Sequence, residues 1–152
     1  MVEIGPSGLR RHRLRSPGKL LSVPLRGLLG TVTHVITRDP VAALTFDDGP
    51  HPEITPWVLE NLKQYNAHAT FFCVGQNVKY NPEIFRKIVA ENHSVGNHSM
   101  NHLNGWKTPD DKYEADINEC KALVNSDLFR PPYGRISISQ YKKLRKNFRI
   151  YS

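Results

Sequence analysis

With 152 residues the chain is long enough for one hydrophobic core and too short for two of ordinary size. Its apolar fraction of 39% fits a folded domain with some polar tail, and no run of eighteen apolar residues exists to span a bilayer, so a soluble or at most peripheral protein is expected. The net charge of +7 sits mostly in residues 1–40, which carry +5 against +2 for the rest, but without interleaved aromatics, finger spacing or a reading helix no nucleic-acid partner is expected.

Residues 1–30, rich in Arg, Gly, Ser and Pro and lacking a stable period, read as a basic, loosely ordered arm. No signal peptide is recognisable, because the apolar stretch LLSVPLRGLLG is interrupted by Pro24 and Arg26. The chain as written therefore reads as cytoplasmic, with the cell envelope or the exterior left open if the true start lies elsewhere. The two cysteines, Cys73 and Cys120, fall in apolar patterns and read as core.

The regular pattern begins near Thr31, and residues 31–152 are read as the folded portion. After the β-prone stretch TVTHVIT, Val41–Phe46 is a nearly uniform apolar run, the pattern of a parallel strand covered on both faces. Thr55 and Pro56 read as the N-cap and first residue of a helix with Val58, Leu59, Leu62 and Tyr65 along its apolar stripe. His68–Gly75 is the next buried strand. Asn81 and Pro82 repeat the cap-then-proline signal before a helix facing inward through Ile84, Phe85, Ile88 and Val89, and Ser94–Gly96 is a third strand. Thr108 and Asp111 read as a capping box ahead of a helix with Tyr113, Ile117, Cys120 and Val124 on one face. Leu128–Arg130 is a fourth strand, Ser137 and Gln140 open another helix carrying Tyr141 and Leu144, and Phe148–Tyr151 begins a fifth strand. This alternation predicts an α/β fold of about five parallel strands with covering helices, an arc of a (β/α) barrel.

Three clusters fall at the C-terminal ends of the predicted strands, the edge where α/β folds bind ligands: Asp47 and Asp48, then His98 and His102, then Arg130 to Gly134. Adjacent carboxylates repel each other, and the repulsion is relieved if one binds a cation and the other pairs with a base such as Arg130. Asp-Asp-Gly-Pro is also ordinary turn chemistry. His98 and His102 are four apart, which would place both imidazoles on one side of a helical turn. With a carboxylate from another strand end they complete three ligands and leave positions open, the pattern of a catalytic metal site. In FRPPYG the prolines stiffen the turn and the Tyr133 amide could face developing negative charge. His51, just past the Asp-Asp turn, is a candidate rim residue.

Taken together, TFDDGP, HSMNH and FRPPYG resemble the first three signature motifs of the polysaccharide deacetylase family, the NodB-like carbohydrate esterases, with HATFFCVG and VGNH as supporting matches. The resemblance implies a distorted (β/α) barrel and a metal-dependent hydrolase that removes N-acetyl groups from N-acetylglucosamine-containing glycans such as chitin, chitooligosaccharides or peptidoglycan. It implies Asp47 as general base and Asp48, His98 and His102 as ligands to zinc, or to cobalt or another divalent ion. Arg130 would orient Asp47, and the Tyr133 amide would face the oxyanion. In the family a later aspartate motif and a Leu-x-His motif follow, the histidine acting as general acid. The chain ends at Ser152 before either, so a truncated domain is expected. An incomplete member that binds metal or glycan without turnover is the main alternative. A non-haem iron oxygenase is disfavoured by its usual antiparallel host, and a phosphoesterase by the lack of a second ligand cluster.

Overall fold

The computed structural model describes residues 43–152, so the basic arm and the β-prone stretch after Thr31 lie outside the described residues. Five strands, β1 (Leu44–Gly49), β2 (Ala69–Cys73), β3 (Ser94–Asn97), β4 (Leu128–Phe129) and β5 (Arg149–Ile150), form one sheet in the order β1-β2-β3-β4-β5. Every neighbouring pair is parallel. Helices α1 (Ile54–Gln64), α2 (Gly75–Tyr80), α3 (Pro82–Ala90), α4 (Asp110–Val124) and α5 (Ile138–Leu144) lie between the strands in sequence. Each strand pairs with the next one along the chain, which is how a barrel winds and is unlike a doubly wound sheet.

Strand period separates two faces. Phe46, Phe71 and Val95 are in register and pack with α1 and α3 through Val58, Leu59, Leu62 and Ile88. Asp47, Phe72 and Gly96 are in register on the opposite face, which carries the site. A second cluster joins Phe129 and Ile150 to Tyr141, Leu144 and Phe148. Helix α4 ties the two together, giving Tyr113 and Ile117 to the second cluster and Cys120 and Val124 to the first, none more than 3% exposed. Fully burying an aliphatic side chain of this kind contributes about 1.5–3 kcal/mol.

The expected fold class holds, with local corrections. Strand β1 starts at Leu44 and lies at the sheet edge, where Leu44 is 45% exposed, so it is not covered on both faces among the described residues. Tyr65 is exposed because it lies just past the end of α1, and Val89 because, one residue on from the buried Ile88, it is turned off the packed face of α3. Thr55 is not a cap: α1 begins one residue earlier, and the Thr55 hydroxyl accepts from the His51 amide. Thr108 likewise donates back to the Asn104 carbonyl, and α4 opens after Pro109 without a side-chain cap. The Ser137–Gln140 capping box is present. Helix α2, only 6 residues with Val78 as its buried side chain, is too short for a periodic signal.

Candidate metal centre

In a regular strand Asp47 and Asp48 would point to opposite faces. The register prevents this, because Asp47 lies opposite Phe72 and Gly49 opposite Cys73, leaving Asp48 as the extra residue of a bulge. Asp48 adopts a left-handed φ of 65°, which for a non-glycine residue costs on the order of 1 kcal/mol. Its carbonyl accepts from Asn77 Nδ2 at 2.7 Å, and the Val74 amide donates to the Gly49 carbonyl at 2.9 Å, fixing the bulge against the start of α2. Both carboxylates can therefore serve one cleft.

His98 and His102 do not share a helical turn. They lie on a loop after β3 with left-handed φ at Ser99 (63°) and His102 (53°). The loop is held from outside: the Gly75 and Gln76 amides donate to the carbonyls of Ser99 and Met100 at 3.0 Å. A Cβ on Gly75 would lie 2.3 Å from Met100 Sδ and 3.2 Å from Met100 Cα, so any larger residue would push the methionine and the loop aside. Asp116 on α4 is buried and accepts from the Met100 and Asn101 amides at 2.9 and 3.2 Å, and also from Asn101 Nδ2. Asn97 braces the entry, accepting from the Ser99 amide and donating to the Ile117 carbonyl.

Arg130, just after β4, donates from Nη1 to Asp47 Oδ1 at 2.7 Å and to Thr45 Oγ1 at 2.9 Å. Its guanidinium stacks 4.1 Å from the centroid of the buried Phe72 ring. Gly96 makes room for that ring, since a Cβ there would lie 2.5 Å from it. The Arg130 carbonyl faces His98 Nδ1 at 2.7 Å, which places the proton on Nδ1 and leaves Nε2 as a free lone pair. Burial holds the His98 imidazole below its ordinary pKa, against the raising pull of the Arg130 carbonyl and of Asp47 and Asp48. The neutral form that a cation needs is thereby favoured.

His98 Nε2 and His102 Nε2 lie 3.4 and 3.0 Å from Asp48 Oδ1. Two ligands about 2 Å from a tetrahedral centre are about 3.3 Å apart, so two imidazoles and one carboxylate at these separations fit a divalent cation. Tyr133 sits in a tight turn (Pro132–Gly134) with φ 58°, closed by the Gly134 and Arg135 amides bonding to Pro131 and Pro132 carbonyls; its own amide takes no part in those bonds. Its ring packs on His102 with centroids 4.6 Å apart. Asp47, Asp48, His98, His102, Arg130 and Tyr133 all line one cleft of about 580 Å³, completed by Pro131, Gly134 and Ser152.

His51 does not join them: its Nδ1 accepts from the Glu53 and Ile54 amides and so caps α1. His68 and His93 pack on each other, and His12 and His34 lie outside the described residues. Phe72, Asn77, Gly96 and Asp116 support the site from outside the sequence motifs. Of these Asp116 had a signal: it falls three residues after Tyr113 and four before Cys120, on the buried face of α4, where a lone carboxylate needs donors.

Comparison with known proteins bears on the sequence and the fold. The family described as polysaccharide deacetylase matches residues 34–147. A peptidoglycan-N-acetylglucosamine deacetylase of Bacillus cereus is 43% identical over 119 residues, covering 74% of this chain and 56% of the relative. A chitooligosaccharide deacetylase of Azorhizobium caulinodans is 33% identical over 114 residues, covering 70% and 54%. The crystal structure of the Bc1960 peptidoglycan N-acetylglucosamine deacetylase superimposes with a TM-score of 0.70 at 40% identity, covering 72% of this chain and 54% of that one. The chain spans about half the length of the relatives it matches. Among the described residues no helix is long and apolar enough to cross a membrane.

Proposed function

The chain belongs to the polysaccharide deacetylase family, and from that premise we propose that it hydrolyses N-acetyl groups from N-acetylglucosamine-containing glycans at a divalent cation held by Asp48, His98 and His102. In this reading residues 31–152 are the N-terminal portion of the catalytic domain. The supporting observation is that the three ligand atoms converge beside an aspartate occupied by Arg130.

The cation, zinc or alternatively cobalt or another divalent ion, would supply a Lewis acid for the acyl carbonyl and a lowered pKa for water. Asp47 is the base: Arg130 holds it in place, and at 37% exposure its carboxylate can reach a water molecule. It takes the proton as that water attacks the carbonyl carbon, a contribution of about 10² to 10⁴-fold in rate. The Tyr133 amide donates to the oxyanion of the tetrahedral adduct. Collapse breaks the C–N bond and releases acetate and an amine, which requires a proton. The proton that Asp47 takes from water balances this when it is passed on to the nitrogen; in a second reading, which the same convergence of ligand atoms supports, the chain binds cation and glycan without turnover.

Acetate release from N-acetylglucosamine oligomers, with added zinc or cobalt, separates the two. The hydrolase reading expects release that a chelator and Asp47→Asn both abolish. Release indifferent to either would remove the mechanism, and no release despite stoichiometric cation binding would leave the second reading.

A further inference from the structure

The two loops that follow the histidines and the Pro-Pro-Tyr-Gly turn meet in a pair of side chains that the hydrolysis does not use. Trp106 is 63% exposed even though the Arg135 guanidinium stacks on it, with Cζ 4.1 Å from the ring centroid. The indole is fixed rather than free: Nε1 donates to the Ile136 carbonyl at 3.1 Å, and the Trp106 amide donates to Asn104 Oδ1 at 3.0 Å. Gln140 closes the same seam by donating to the carbonyls of Gly105 and Thr108 at 2.9 and 3.0 Å. The pair is tied to the metal centre along the chain: Arg135 follows Gly134, which lines the cleft, and lies two residues after Tyr133, which packs on His102, while Trp106 lies four residues after His102; neither of the two side chains lines the cleft itself.

Arg135 makes no ion pair among the described residues, and no aromatic ring of another described residue packs against Trp106. A preorganised indole is a surface for the C–H face of a pyranose, and a planar guanidinium held against it is a fork for a carboxylate. A neutral N-acetylglucosamine polymer would use the ring and leave the cation idle. A glycan in which every second sugar carries a carboxylate-bearing ether, as N-acetylmuramic acid does, would use both.

We propose that Trp106 and Arg135 form a glycan subsite next to the deacetylation centre that takes a carboxylate-bearing sugar, so that the protein favours an acidic N-acetylated glycan over a neutral one. The proposal rests on the glycan reading above and selects among its substrates. Preorganisation lowers the ordering cost of binding, and solvent exposure limits the contribution of the charge.

The test is titration calorimetry of the full chain with two tetrasaccharides: chitotetraose, and a peptide-free alternating N-acetylglucosamine–N-acetylmuramic acid tetramer. The acidic tetramer is expected to bind about three- to fivefold more tightly. Arg135→Gln should bring it down to the level of chitotetraose, and Trp106→Ala should weaken both, while Trp106→Phe, which keeps a ring in the seam, retains most of the affinity. Zinc affinity, measured by chelator competition, should be unchanged in all three variants, and His98→Ala should lose zinc but keep the glycan preference. Loss of zinc binding by the wild type would thus strike the hydrolase reading alone. Equal affinities in the wild type, a preference that survives Arg135→Gln and so arises elsewhere, for instance in residues 1–40, or binding of neither tetramer would overturn the subsite.

Discussion

The His98 side chain is 4% exposed and that of Asp48 68%, yet both present a ligand atom to the same point. His98 lies under a cross-braced loop, with its ring fixed by the Arg130 carbonyl and its neighbours held by Gly75, Gln76 and Asp116. Asp48 sits on a strand that is at the sheet edge among the described residues and is aimed by backbone conformation, a bulge pinned by Asn77. The contrast follows from charge. A neutral imidazole is buried at modest cost once its N–H is bonded, whereas a carboxylate without a counter-ion pays heavily for losing water. The His98 side of the site is therefore organised by burial, and the carboxylate side by geometry that keeps it wet.

The sharpest way to break this comparison is to remove one ligand from each half. His98→Ala and Asp48→Ala should each weaken zinc by more than the ~100-fold seen for losing a supporting residue. Only His98→Ala should also lower the melting temperature markedly in the absence of metal, through the cavity and the unpaired Arg130 carbonyl. Equal melting of the two variants would contradict the division. Next in size, Asp116→Ala leaves three donors on the histidine loop unpartnered. It should cost about 2–3 kcal/mol in urea unfolding and about tenfold in zinc affinity, with Asp116→Asn milder in both.

Gly96→Ala drives a methyl into the Phe72 ring that carries Arg130, and should cost about 1–3 kcal/mol by the same unfolding measurement while leaving zinc affinity within about twofold. The smallest effect is expected at the two thiols behind the histidine loop. Burial pushes Cys73 and Cys120 each up to about 12, so both stay protonated at neutral pH. Neither should react with a thiol reagent until denaturant is added, and rapid labelling of the native chain would show that this wall opens.

Much of this was readable in the residues. The three clusters fall at strand ends because βα alternation puts successive C-terminal strand ends on one edge, and the stripe from Tyr113 to Val124 predicts the helix that joins both cores. Asp48 was harder: a left-handed φ there uses no glycine, so the bulge that turns its side chain leaves no mark in composition. The spacing of His98 and His102 suggested a helical turn, but their convergence comes from bonds donated by α2 and accepted by Asp116, partners distant in sequence. Thr55 and Thr108 had the residue types of caps and were drawn instead to closer backbone partners at His51 and Asn104. The Trp106–Arg135 stack joins positions 29 residues apart and depends wholly on the loops meeting.

X-ray absorption at the zinc edge, on the full chain loaded with one equivalent and on its Asp48→Ala and His98→Ala variants, addresses the shared cation most directly. One tightly bound zinc in a nitrogen and oxygen shell with the scattering signature of two imidazoles, lost or changed in each variant, is the predicted result. A sulfur shell from Cys73 or Cys120, or a zinc environment identical in wild type and both variants, would contradict it.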